Sequence, residues 1–146
     1  MRVWAGKIIK ILFAVARPLL SSYISTVMTD LGTINVSNLM DASGGDREIA
    51  ISLVSLYFEL TGGEIARLEE AIRTGDSATT TAVSHKCAGS SVSCGMPVLA
   101  VMLKDLEKAS AQSMPADAAE RMQEINKEMA AVRIAFEAHF GCSFPI

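Results

Sequence analysis

The chain is poor in several residue types, and each shortage narrows the possibilities. It holds four prolines, two histidines and three cysteines among 146 residues, and only 5% of it is aromatic. So little proline gives no sign of a disordered protein. The cysteines, at 87, 94 and 142, are odd in number and show no CxxC spacing. That argues against a disulfide scaffold and for a reduced, cytoplasmic compartment. No second Cys/His pair lies at ligand spacing, which argues against a zinc site. A Gly-rich phosphate loop, a GxSxG elbow, an HExxH pair, internal repeats, low-complexity tracts and strand-like alternation are all missing from the sequence.

What is present is apolar and aliphatic. Half of the residues are hydrophobic, and the length suits one domain with a real core built from Leu, Ile, Val, Met and Ala. The net charge of −3 hides an asymmetry. Residues 1–29 carry Arg2, Lys7, Lys10 and Arg17 and no acid, whereas residues 30–146 carry nine basic and sixteen acidic residues and net −7. The body is therefore a poor nucleic-acid binder.

Residues 1–29 read as a basic, apolar N-terminal extension. Arg17 interrupts the apolar run, and no small-x-small cleavage site follows, so a signal peptide fits poorly. The longest uncharged run, residues 18–29, is twelve residues, short of the ~20 that span a bilayer. A basic amphipathic helix lying on a membrane or capping the domain is compatible with the segment. So is a true start at Met28, which would open on "MTDLGTINVSNLMD".

From residue 46 the pattern is helical. Ile49, Leu53, Leu56, Leu60, Leu68 and Ile72 recur at helical steps after Asp46, a candidate N-cap. Gly62–Gly63 is expected to kink or split this long segment. Gly75 and Asp76 close it and cap the next. Residues 77 to about 93 form a helix of poor periodicity, ended by "SCGMP". Val98, Leu99, Met102, Leu103 and Leu106 mark another helix. After a loop, with Pro115 placed just inside the next start, Met122, Ile125, Met129, Val132, Phe136 and Phe140 mark the last. A short preliminary helix is expected within 35–44. The fold class is all-α: an up-down antiparallel four-helix bundle over residues 30–146 with an additional N-terminal helical segment.

One of the two histidines stands in "AVSHKCAGSSVSCGM", residues 82–96. On a helix, Ala78, Thr81, Ala82, Ala88, Gly89 and Val92 fall within about 60° of His85, while Val83, Cys87 and Cys94 fall opposite. The cysteines then read as small core residues, and His85 stands on a solvent-facing surface of small side chains. Gly89 inside a helix costs ~1 kcal/mol relative to Ala. Its place one turn from the histidine suggests that something approaches closely. A neutral, exposed imidazole is a competent nucleophile.

Taken with the helix order, "HKCAGSS" resembles the signature of the histidine-containing phosphotransfer (HPt) domain of two-component phosphorelays. That signature is a histidine, two variable positions, a lysine and then glycine, often followed by two serines. His85, Gly89, Ser90 and Ser91 match in register, and the likeness covers roughly residues 30–141. It implies a phosphoryl carrier in which His85 accepts the group from a receiver-domain phosphoaspartate and passes it to another receiver. The implied partners are response-regulator receiver domains and a (hybrid) sensor histidine kinase, and the carrier is implied to be a monomer. It would have no cofactor of its own, Mg²⁺ coming from the receiver, and no kinase activity. Ala82, Lys86, Ala88, Gly89 and Ser90 would support the phosphoryl group or the partner.

One position departs from the pattern: the family's lysine is Ala88 here. Lys86, about 100° round the helix, is the expected substitute. The same departure favours the alternative of a pseudo-HPt bundle that binds a receiver or kinase without phosphotransfer. A metal- or ligand-binding bundle fits less well, because His85 and the cysteines point apart. Ser90 and Ser91 read as capping or partner contacts, Lys104 and Lys108 as solvated charges, and His139, in the last turn of the last helix, as structural.

Overall fold

The computed structural model describes residues 33–144, so the extension over 1–29 lies outside the described residues. Among them the regular structure is entirely helical: α1 (Val36–Ala42), α2 (Arg47–Thr74), α3 (Ser77–Ser93), α4 (Pro97–Ser110) and α5 (Ala118–Phe140). Local chemistry explains the boundaries. The carboxylate of Asp46 accepts the backbone N–H groups of Glu48 and Ile49, and that of Asp76 accepts the N–H of Thr79 at 3.0 Å. Each satisfies donors that an α-helix leaves open at its first turn. Gly75 ends α2 at φ 74°, a conformation that favours glycine. Gly62–Gly63 do not split α2, which runs unbroken for 28 residues. Pro115 lies in the loop before α5, three residues ahead of its first turn rather than inside it.

The helices form a bundle-like arrangement in which α3 packs against both α2 and α4, and α5 against α4 and α2. Cross-helix contacts give the directions. Tyr57 meets Ser91 and Glu64 meets Lys86, so α2 and α3 run antiparallel. Thr81 meets Ser110 and His85 meets Glu107, so α3 and α4 do as well. Arg47 reaches the carbonyl of Phe140, and Arg133 lies over the Phe58 ring, which sets α5 antiparallel to α2. The core is filled by Leu39, Val54, Tyr57, Phe58, Leu68, Val83, Leu99, Leu103, Leu106, Ile125, Val132 and Phe136. The apolar face expected on α5 is the one it buries, with Met129 only partly covered.

On α2 the buried face is not the aliphatic one. Ala50, Val54, Tyr57, Phe58 and Thr61 point inward, whereas Ile49, Leu56 and Leu60 are exposed, Leu53 and Ile72 are half-buried, and only Leu68 of the expected set is buried. Two apolar stripes share this helix at the same period. The aromatic pair decides between them, because Tyr57 and Phe58 supply the volume that fills the space between α3 and α5. By length and composition α2 is also apolar enough to cross a membrane. In this fold its aromatic stripe is packed against protein.

α3 is held differently. It is rich in Ser and Thr, which are indifferent helix formers. Several of its hydroxyls bond back to the carbonyl four residues earlier: Thr80 to Asp76, Thr81 to Ser77, Ser90 to Lys86 and Ser91 to Cys87. These bonds satisfy polar groups as the helix is buried. The phenol of Tyr57 completes one such chain. It lies 2.8 Å from Ser91 Oγ, which in turn donates to the Cys87 carbonyl at 2.7 Å. Ser91 therefore neither caps α3 nor faces a partner; it is fully buried.

Past its end, α3 is locked to α1. Gly95, at φ 74°, gives its carbonyl to the N–H of Asn35 at 2.7 Å, and the N–H of Met96 returns to Ser91. A Cβ on Gly95 would stand 2.3 Å from the Asn35 carbonyl oxygen, whereas one on Gly89 would meet nothing within 4 Å. Gly95→Ala should therefore cost roughly 2–3 kcal/mol, from backbone strain and collision together. Gly89→Ala should add up to ~1 kcal/mol through helix propensity. Urea unfolding of the two variants checks this, and equal effects would refute the Asn35 constraint.

Burial pushes the Tyr57 phenol up to about 12. The folded chain thus holds this proton more tightly than the unfolded one, so the stabilisation is complete below pH ~10 and is lost as the pH rises toward 12. A tyrosine so placed should withdraw about 2–3 kcal/mol over that interval. Tyr57→Phe should cost ~1 kcal/mol at neutral pH and show a flatter alkaline limb in thermal melts. An alkaline limb as steep as that of the wild type would reject the assignment.

Candidate functional site

His85 projects from the middle of α3 with its side chain 70% exposed. Its Nδ1 lies 2.9 Å from Oε1 of Glu107 on α4. The other carboxylate oxygen of Glu107 lies 2.8 Å from Nζ of Lys104, one turn earlier on the same helix. Lys104 first, and then His85, hold the Glu107 carboxyl below the usual carboxylate range. An ionised carboxylate only accepts hydrogen bonds, so Nδ1 must carry the proton in this contact. In the neutral tautomer this leaves the lone pair on Nε2, which no hydrogen-bond partner engages among the described residues.

Beside the ring, between α3 and α4, lies a cavity of about 470 Å³, lined by Asn38, His85, Ala88, Gly89, Val92, Gly95, Met96, Pro97, Ala100, Val101 and Lys104. Its walls are mostly apolar. Val92 and Val101 stand open to solvent at its rim. Small side chains create the space: Ala88 and Ala100 are buried where the helices approach, and Gly89 leaves the helix surface bare.

The expected site residues divide. His85, Ala88 and Gly89 line one cavity. Ala88 is not on an open face, however; it is 5% exposed and belongs to the core. Ala82 and Ser90 are exposed on α3 without lining the cavity, and Thr81 is drawn into the α3–α4 seam by its bond to Ser110. Lys86 points to the other flank, where its ammonium binds Glu64 of α2 at 2.6 Å. Cys87 is buried and Cys94 partly so, and burial pushes the Cys87 thiol up to about 11. Among the described residues no group of three His, Cys, Asp or Glu side chains could hold a metal ion. His139 lies at the far end of α5, edge-on to the Phe140 ring.

Glu107 and Lys104 were hidden from sequence reasoning. Glu107 stands 22 positions from His85, and no spacing rule links two antiparallel helices at that distance. Lys104 is not a merely solvated charge, since it closes one side of the cavity and pairs with the carboxylate that holds the histidine.

No family model, no curated protein and no solved structure matches this chain.

The tautomer is open to direct measurement. Long-range ¹H–¹⁵N correlation spectra should show His85 of the wild type with its proton on Nδ1, and Glu107→Ala should remove that bias. A wild-type spectrum dominated by the Nε2–H form would contradict the hydrogen bond.

Proposed function

We propose that the chain is a phosphoryl carrier of the HPt type, an all-α four-helix bundle whose His85 is phosphorylated on Nε2. The observation that carries this reading is the arrangement of the ring: an exposed imidazole, anchored through Nδ1 by Glu107, with Nε2 free beside a bare glycine and an apolar groove. A surface histidine of no consequence needs neither the carboxylate nor the clearing.

The chemistry follows from the tautomer. The Nε2 lone pair attacks the phosphorus of a receiver's phosphoaspartate in line. The N–P bond forms as the acyl P–O bond breaks, and its electron pair leaves with the aspartate carboxylate. No proton moves: Nδ1–H stays in place and the phosphorylated ring becomes an imidazolium, whose charge the Glu107 carboxylate offsets. In the forward transfer a second receiver's aspartate attacks phosphorus, and the N–P electrons return to Nε2. The receiver brings the Mg²⁺ that screens the transferred oxygens. The groove suits an apolar element of that partner, with Val92 and Val101 at its rim. Gly89 lets the two domains close on each other.

Ala88 favours a second reading, a bundle that docks a receiver or kinase without accepting phosphate. Lys86, expected as the substitute for the missing lysine, pairs with Glu64 on the opposite flank and does not line the groove.

Incubation with phosphorylated receiver domains separates the two. Carrier function predicts an acid-labile, alkali-stable label on the wild type and none on His85→Gln. Gly89→Leu should bind poorly and transfer at least tenfold more slowly, with a melting temperature at or slightly above that of the wild type. Receiver binding without label supports the docking module, and normal transfer by Gly89→Leu removes the argument from close approach.

A further inference from the structure

We infer that Lys104, from the facing helix α4, supplies the cation for the phosphoryl group on His85; this rests on the carrier reading above. The register between the helices carries the inference. Thr81 meets Ser110, and one turn later His85 meets Glu107. One further turn along this antiparallel pair brings Ala88 and Gly89 level with Lys104, and all three line the same cavity as His85. A lysine on α3 at position 88 would project into this space. Here α3 carries only a methyl group there, and the ammonium enters from the opposite wall.

Charge strengthens the argument. Glu107 is needed to hold Nδ1–H, but its carboxylate would repel an approaching phosphoryl dianion. Nζ of Lys104 sits 2.8 Å from the second oxygen of that carboxylate, Oε2, and offsets it. The Lys104 side chain is also 46% exposed, so its long stem can swing from Glu107 to a phosphoryl oxygen without unpacking the core. Lys86 stands on the other flank of α3, where its ammonium meets Glu64 on α2, and it does not line the cavity.

The test uses the full chain and phosphoramidate, a small phosphodonor that labels histidine without a receiver, with ³¹P NMR as the readout. Lys104→Gln should form phosphohistidine roughly ten- to a hundredfold more slowly than wild type, the scale of one lost hydrogen bond to a charged group. Lys104→Arg should recover most of the rate, and Lys86→Gln should stay within about twofold of wild type. If the wild type is labelled on His85 and Lys104→Gln matches it, the assignment of Lys104 is overturned while the carrier reading stands. If Lys86→Gln suffers the larger loss, the cation comes from the other flank. If neither phosphoramidate nor a phosphorylated receiver labels the wild type, the carrier reading itself fails, and this inference with it.

Discussion

The close approach of α3 and α4 is the constraint on which the site depends. The hydroxyls of Thr81 and Ser110 join the two helices at 2.9 Å, and small side chains, Ala88 on α3 and Ala100 on α4, are buried along them. Small side chains allow backbones to come near, and nearness fixes register. The register in turn delivers Glu107 to the Nδ1 edge of His85 and Lys104 to the level of Ala88. A larger residue in the seam would push α4 outward and take the carboxylate and the ammonium away together. The small residues around the histidine therefore serve two ends, clearing space on the surface and setting the spacing beneath it.

The body divides its packing accordingly. Bulky aromatic side chains fill the side of α2 and α5: Tyr57 and Phe58 meet edge to face, Phe136 and Phe140 stack, Phe58 lies tilted against Phe144 beyond α5, and Arg47 and Arg133 cross between the helices onto Phe140 and Phe58. The α3 side has little such volume. It is held by the capping carboxylate of Asp76, by hydroxyls returned to the preceding turn, and by the Gly95–Asn35 backbone bond at its end. A helix of weak propensity is thus tied at both ends, and its buried Thr80 and Ser91 hydroxyls are satisfied, while that of Ser84 has no partner among the described residues.

Helix ends were legible from sequence wherever one residue type has one physical job there. Asp46, Gly75, Asp76 and Gly95 behave as their chemistry requires. The inward face of α5 was legible because its large apolar residues form a single stripe. On α2 two stripes compete, and periodicity alone cannot rank them; the space available for Tyr57 and Phe58 does. The outward turn of His85 and the inward turn of Cys87 follow from helical angles alone. The partners of His85 do not, since Glu107 and Lys104 belong to another helix and their place depends on a register that only tertiary packing sets. Lys86 illustrates the same limit: adjacent to the histidine in sequence, it belongs in space to α2.

The triad of His85, Glu107 and Lys104 has a consequence for how a partner would find this surface. With the imidazole neutral, the carboxylate and the ammonium, 2.8 Å apart, cancel each other well within the ~8 Å over which salt screens charge in cells. Seen from a distance, the groove presents almost no field of its own. Long-range attraction would then contribute little at this spot, and a partner of the proposed carrier would be selected by shape and apolar fit against Val92, Pro97 and Val101. Recognition of that kind varies little with ionic strength and discriminates mainly through the dissociation rate, once surfaces are already in contact.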